Sequence, residues 1–200
     1  MRKIIFLFFI IAFIVSCGEH KKNNLTSPVA VDSTDHKIDS FFPVTSFLKG
    51  QMILLDSLPV TPLHTITVNN KTDSSWLKKD ELRPLLQIFL TPEIAETNLT
   101  TLFKESSFND QTLNAMTFTY EPVKLLPDSI SLRHWTVYID PLKGDVTKIY
   151  LVKEDKKDHL YYQLLWKPKY WAKITTIQNK PDGNDVVTRE EKIIWGFTEE

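Results

Sequence analysis

The sequence predicts an α+β domain in which N-terminal helices pack on a C-terminal antiparallel meander sheet of about six strands. Three observations carry that expectation. Val44, Phe47, Leu48, Met52 and Leu55 recur at helical spacing early in the domain. From Met116 onward the period changes to two, in one short run after another. Turn sequences separate those runs, among them Asp140-Pro141-Leu142-Lys143-Gly144 and Pro181-Asp182-Gly183-Asn184. Short strands joined by tight turns pair antiparallel, and helices that precede them cover one sheet face.

The chain opens on Arg2 and Lys3, an apolar run from Ile4 to Val15, then Ser16 and Cys17. That run is shorter than the roughly 20 residues a membrane span needs, so residues 1–16 read as a secretory signal peptide. Ile14-Val15-Ser16-Cys17 resembles a bacterial lipobox, where the chain is cut before a cysteine bearing diacylglycerol. The resemblance implies that Cys17 is the lipidated (palmitate-bearing) first residue of a membrane lipoprotein. Each buried CH₂ of such an anchor contributes about 0.8 kcal/mol, so several chains hold permanently. Cys17 is the only cysteine, and lipidation leaves no thiol for a disulfide. Gly18 differs from the aspartate of inner-membrane retention signals, which implies the bacterial outer membrane. The mixed charges of Glu19-His20-Lys21-Lys22 favour its periplasmic face over the surface leaflet.

Residues 17–37 are polar, without apolar periodicity, and read as the lipidated cysteine and a flexible tether. Residues 38–200 then form a single α+β domain. Its first helix starts near Pro43, with Ser40 as the cap. Leu63–Val68 alternates as a strand and ends at Asn69-Asn70. Helices are expected from about Asp80 to Leu90 and from Thr100 to Phe108. The meander strands are Thr117–Val123, Arg133–Ile139, Val146–Val152, Leu160–Trp166, Trp171–Gln178 and Val186–Trp195.

Of 200 residues, 24 are basic and 25 acidic. Arg2 and Lys3 leave with the signal, so 22 basic side chains face 25 acidic ones, a formal charge of −3. Such a balance argues against nucleic acid. The five glycines are scattered, so no glycine-rich phosphate cradle can form and no nucleotide cofactor is expected. No two histidines stand at i, i+4 and no free thiol remains, so no zinc motif is present. His134 reads as a structural histidine within a strand. The serine-hydrolase elbow and the penicillin-binding motif set are also missing. Lys153-Glu154-Asp155-Lys156-Lys157-Asp158 reads as a solvated loop.

The segment VYIDPLKGDV, residues 137–146, resembles the hairpin of PepSY-type envelope domains, where Asp-Pro-x-x-Gly joins two strands. The lipobox, the tether, LRHWTVYIDPLKG and EEKIIWGF are similar to uncharacterised lipoproteins of Bacteroidetes-type bacteria, a family with no activity to transfer. Those bacteria O-glycosylate Asp-Ser/Thr triplets. The resemblance therefore implies modification at Ser33 in Asp32-Ser33-Thr34, with Asp56-Ser57-Leu58 and Asp128-Ser129-Ile130 as weaker matches.

Aromatic residues crowd the last strands: Tyr161, Tyr162, Trp166, Tyr170, Trp171 and Trp195. Packing in the sheet is one reading of them. The other is a contact surface. An even loop centred on Pro168-Lys169 would put Tyr162, Trp166, Trp171 and Lys173 on one face. The sequence thus predicts a non-enzymatic envelope lipoprotein with a binding or assembly domain, anchored by lipid and engaging an envelope protein or glycan. The alternatives are an envelope hydrolase acting on peptidoglycan or glycan through carboxylates, and a small-ligand-binding lipoprotein.

Overall fold

The computed structural model describes residues 40–180 and 183–196. The chain divides into two units, Met1–His36 and Lys37–Glu200, and every described residue belongs to the second. Cys17, Ser33 and the tether lie outside the described residues.

Helix α1 spans Val44–Ser57 and turns Val44, Leu48 and Leu55 inward. Pro43, not Ser40, occupies the cap position, and no side chain caps the helix. Proline needs no cap for its own missing N–H and its fixed φ starts the helix. At the other end Ser57 Oγ donates to the Leu54 carbonyl at 2.6 Å, satisfying one of the orphan acceptors.

Strand β1, Leu63–Val68, forms a hairpin with β2, Lys71–Trp76. The expected end at Asn69-Asn70 is its turn, with both asparagines at positive φ, 50° and 61°. The sequence reading missed β2 because Lys-Thr-Asp-Ser-Ser-Trp has no apolar alternation and is exposed throughout. An edge strand needs backbone pairing on one side only, and polar residues there discourage aggregation.

Helix α2 covers Lys79–Leu86 and tightens into a 3₁₀ turn over Gln87–Leu90. Glu81 accepts the Lys78 amide at 2.8 Å, closing the first turn. The helix expected over Thr100–Phe108 is instead β3, Phe103–Asp110, paired with β4 along its whole length. Only Phe103 of this strand is buried, so its few apolar residues misled the periodicity. The remaining strands are β4 Ala115–Pro122, β5 Leu132–Ile139, β6 Val146–Asp155, β7 Leu160–Lys167, β8 Trp171–Gln178 and β9 Val186–Ile194.

All nine form one antiparallel sheet in the order β2-β1-β9-β8-β7-β6-β5-β4-β3. The α+β class and the meander are present, but the sheet is larger than expected. The helices also do not all precede it, since the β1–β2 hairpin lies between α1 and α2.

Register assigns the faces. Tyr120, Trp135, Leu151, Leu164 and Ile174 are successive partners across β4 to β8, and Phe118, Val137, Ile149, Trp166 and Ala172 form the adjacent row. These rows form the core with Val44, Leu48, Leu55, Leu82, Leu86 and Phe89 of the helical segments. The Phe89 ring meets Trp166 edge-on at 5.4 Å, and Phe41 meets Tyr120 at 4.9 Å. Gly144 lies at φ 72° and donates to the Asp140 carbonyl at 2.9 Å, closing the β5–β6 turn as its sequence predicts.

Candidate binding surface on the uncovered sheet face

The β7–β8 turn decides the fate of the aromatic residues. Lys167 pairs with Trp171 and Trp166 with Ala172, so the loop holds three residues, Pro168, Lys169 and Tyr170. Lys169 takes φ 71°, which lets an odd loop close. The expected even loop is thereby corrected, and one residue of offset moves side chains to the opposite face. Tyr162 and Trp166 point to the helical layer, and Trp166 is 1% exposed. Trp171 and Lys173 stand on the other face. The four residues expected to form one contact surface are split into two pairs.

Among the described residues, no helix lies over the face that carries Trp171. Lysines and rings share it. Lys173 stands directly opposite Lys192 across β8 and β9, and Lys148 and Lys167 lie near each other just past the Ile149–Trp166 pair that ends the β6–β7 ladder. Lys192 rests over the Trp171 ring at 4.7 Å, Lys148 over Tyr138 at 3.8 Å and Lys167 over Tyr170 at 5.0 Å. Lys173 also pairs with Glu190 at 2.5 Å. Burial lowers the Lys148 pKa and its neighbour Lys167 adds to this, against an opposing pull from Asp110. Burial likewise raises the Tyr138 and Tyr150 hydroxyls.

His134 sits on this face as well, 3.1 Å from Thr136 Oγ1 and edge-on to Tyr150. Burial lowers its pKa against a weaker pull from Glu121, which favours a neutral, hydrogen-bonded ring. A buried pair elsewhere, His64 and Glu191 at 3.0 Å, joins β1 to β9 on the helical side. Burial pushes the Glu191 carboxyl up, but Arg189 and His64 more than offset it and the net shift is downward.

Lys153 is the residue that sequence reasoning missed. The expected loop over 153–158 is corrected: β6 runs to Asp155, and Lys153 is 4% exposed. Its Nζ donates to the carbonyls of Ile88 and Thr91, at the end of the 3₁₀ turn. Burial alone lowers its pKa to about 8. Ile149, Leu151 and Lys153 share one strand parity, which was the available signal; the dense charge around it concealed this. The lysine lines a cavity of about 500 Å³ with Thr91, Ser131, Asp155 and Tyr162.

No group of three or more His, Cys, Asp or Glu side chains that could hold a metal ion occurs among the described residues. No described helix is long and apolar enough to cross a membrane. No family model, curated protein or solved structure matches the chain.

Proposed function

We propose that this chain is a lipoprotein of the outer membrane's periplasmic face, of the Bacteroidetes type, anchored through Cys17, and that its domain binds an acidic glycan without chemistry. The uncovered sheet face is the contact surface. The observation that carries this reading is the pair of like-charged neighbours, Lys173 with Lys192 and Lys148 with Lys167, set among Tyr138, Tyr150 and Trp171. Like charges directly opposite one another in a sheet are destabilising, and at Lys173 the Glu190 carboxylate offsets part of this. Local rules are broken in this way mainly at functional sites. Lysines neutralise carboxylate or phosphate groups on a glycan, while indole and phenol rings stack on its sugar faces.

Asp128, Asp140 and Glu191 are poor candidates for the acid of a glycan hydrolase. A glycosidase needs a carboxylic acid whose pKa is raised. Asp128, Asp140 and Glu191 are all shifted the opposite way. In Asp128 the Lys156 hydrogen bond is the main cause, and in Asp140 it is the backbone amides of Leu142 and Lys143.

The test is a pull-down of the full protein with purified envelope polysaccharides and peptidoglycan sacculi over a salt series. Binding should weaken with salt and fall at least tenfold in the Lys173→Glu/Lys192→Glu double variant. Binding that ignores both salt and the double variant refutes the reading, and retention by an acidic protein in place of any glycan replaces the partner class.

A further inference from the structure

Pairing register links one line of side chains across the uncovered face. Trp76 on β2 stands opposite Leu63 on β1, Leu63 opposite Ile194 on β9, Ile194 opposite Trp171 on β8, and Trp171 opposite Lys167 on β7. The line then passes to Lys148 on β6, which stands opposite Tyr138 on β5. Rings thus occupy the first, fourth and seventh strands of the order β2-β1-β9-β8-β7-β6-β5. Successive rings are three strand spacings apart, roughly 14 Å at about 4.8 Å each. Lys167 and Lys148 fill the line between Trp171 and Tyr138, and the opposed Lys173 and Lys192 flank it beside Trp171 and Ile194. The two ends differ. At the Tyr138 end the Asp110 carboxylate acts on both Tyr138 and Lys148, which opposes an anion. Toward β2 the line carries no charge, and it ends on Trp76, 62% exposed on an otherwise polar strand.

We propose that the glycan is a long linear acidic polymer and that it runs across the strands, from Tyr138 past Trp171 to Trp76. This inference rests on the glycan reading and adds the class, direction and extent of the ligand. A pyranose unit in an extended chain advances by about one strand spacing, roughly 5 Å. Every third sugar therefore meets a ring, which stacks on its apolar face. Acidic groups on the sugars between Trp171 and Tyr138 meet Lys167 and Lys148. Four consecutive sugars cover that central stretch, one each for Trp171, Lys167, Lys148 and Tyr138, whereas a chain that reaches Trp76 needs seven. A short oligosaccharide would leave the exposed tryptophan at the sheet edge unused.

Calorimetric titration of the full protein at low salt with two oligogalacturonates, a tetramer and a decamer, tests the assignment. The decamer should bind more tightly than the tetramer. Trp76→Ala should cut that advantage about fivefold, the loss of roughly 1 kcal/mol of stacking, and leave the tetramer's affinity unchanged. Trp76→Phe keeps a ring and should retain most of the advantage. A longer chain also gains from the extra registers open to it, but that gain is common to wild type and variants and cancels. A decamer-to-tetramer ratio that Trp76→Ala leaves unmoved overturns this inference, and the glycan reading survives it provided both oligomers are still lost in Lys173→Glu/Lys192→Glu. Equal weakening of both oligomers by Trp76→Ala places a short ligand at the sheet edge and overturns it as well. Binding of neither oligomer at low salt removes the glycan reading and this inference with it.

Discussion

Lys153→Met is the most informative single substitution, because it isolates one buried charge. In the folded protein burial holds the Lys153 pKa near 8, against 10.5 for an unburied lysine. Below pH 8 the amine is charged in both states, and the folded state bears the whole cost of burying it. Above pH 10.5 it is neutral in both, and the cost is gone. Between these values the unfolded chain binds more protons than the folded one, so stability rises with pH. The full difference is about 3 kcal/mol, and integration from pH 7 to 9.5 leaves about 2 kcal/mol. Methionine fills similar space without a charge. It also loses the bonds to the Ile88 and Thr91 carbonyls, but that loss is a constant offset that pH does not change. Urea unfolding followed by tryptophan fluorescence, at half-unit steps from pH 7 to 9.5, measures the difference between the two proteins. Groups common to both cancel, including the buried tyrosines. Wild type should gain about 2 kcal/mol on Lys153→Met across the window. Parallel curves would show that the ammonium is ordinarily solvated and that its burial carries no cost.

Five further outcomes follow from backbone and packing. Gly144→Val should destabilise by about 1–2 kcal/mol, read as a fall in Tm, because φ 72° strains a β-branched residue even though the space around it is open. Gly196→Ala should destabilise in urea melts, since its Cβ would press into the Lys169 carbonyl and the Tyr170 backbone. Gly50→Ala, in open space within α1, should instead stabilise by about 0.5–1 kcal/mol. Trp166→Ala should cost about 3–5 kcal/mol in the same melts, while Trp171→Ala on the uncovered face should cost far less.

Much of the fold was legible because the relevant signal is local. Helix α1 shows its helical spacing openly. The six strands from β4 to β9 were all anticipated, with boundaries within three residues and Trp171–Gln178 matched at both ends. The two sheet edges were not. Both β2 and β3 are polar, and their partners, not their own apolar pattern, make them strands. The candidate surface was half legible. Trp171 and Lys173 were on it, but Trp166 and Tyr162 were not, because the parity of one loop decides their face. Nothing in Pro168-Lys169-Tyr170 advertises that Lys169 will take a positive φ, a conformation usually left to glycine or asparagine. Lys153 was hidden for a different reason. Its burial depends on carbonyls some sixty residues away in sequence.

The sheet order explains why one face is covered and the other is not. Strands β2 and β3 are consecutive in the chain yet occupy opposite edges of the sheet. The segment between them must therefore cross eight strand spacings, roughly 38 Å at about 4.8 Å each. It crosses on the side of Trp135 and Trp166, carrying α2 and the 3₁₀ turn, and Phe89 packs on Trp166 along the way. Lys153 holds this crossing from beneath by the carbonyls of Ile88 and Thr91. A single crossing can cover only one face, and α1 adds to that same layer. The opposite face needs only enough polarity to remain in water, which alternating charges would supply. Lysine set against lysine among aromatic rings goes beyond that need, and it directs the search for a partner to this surface.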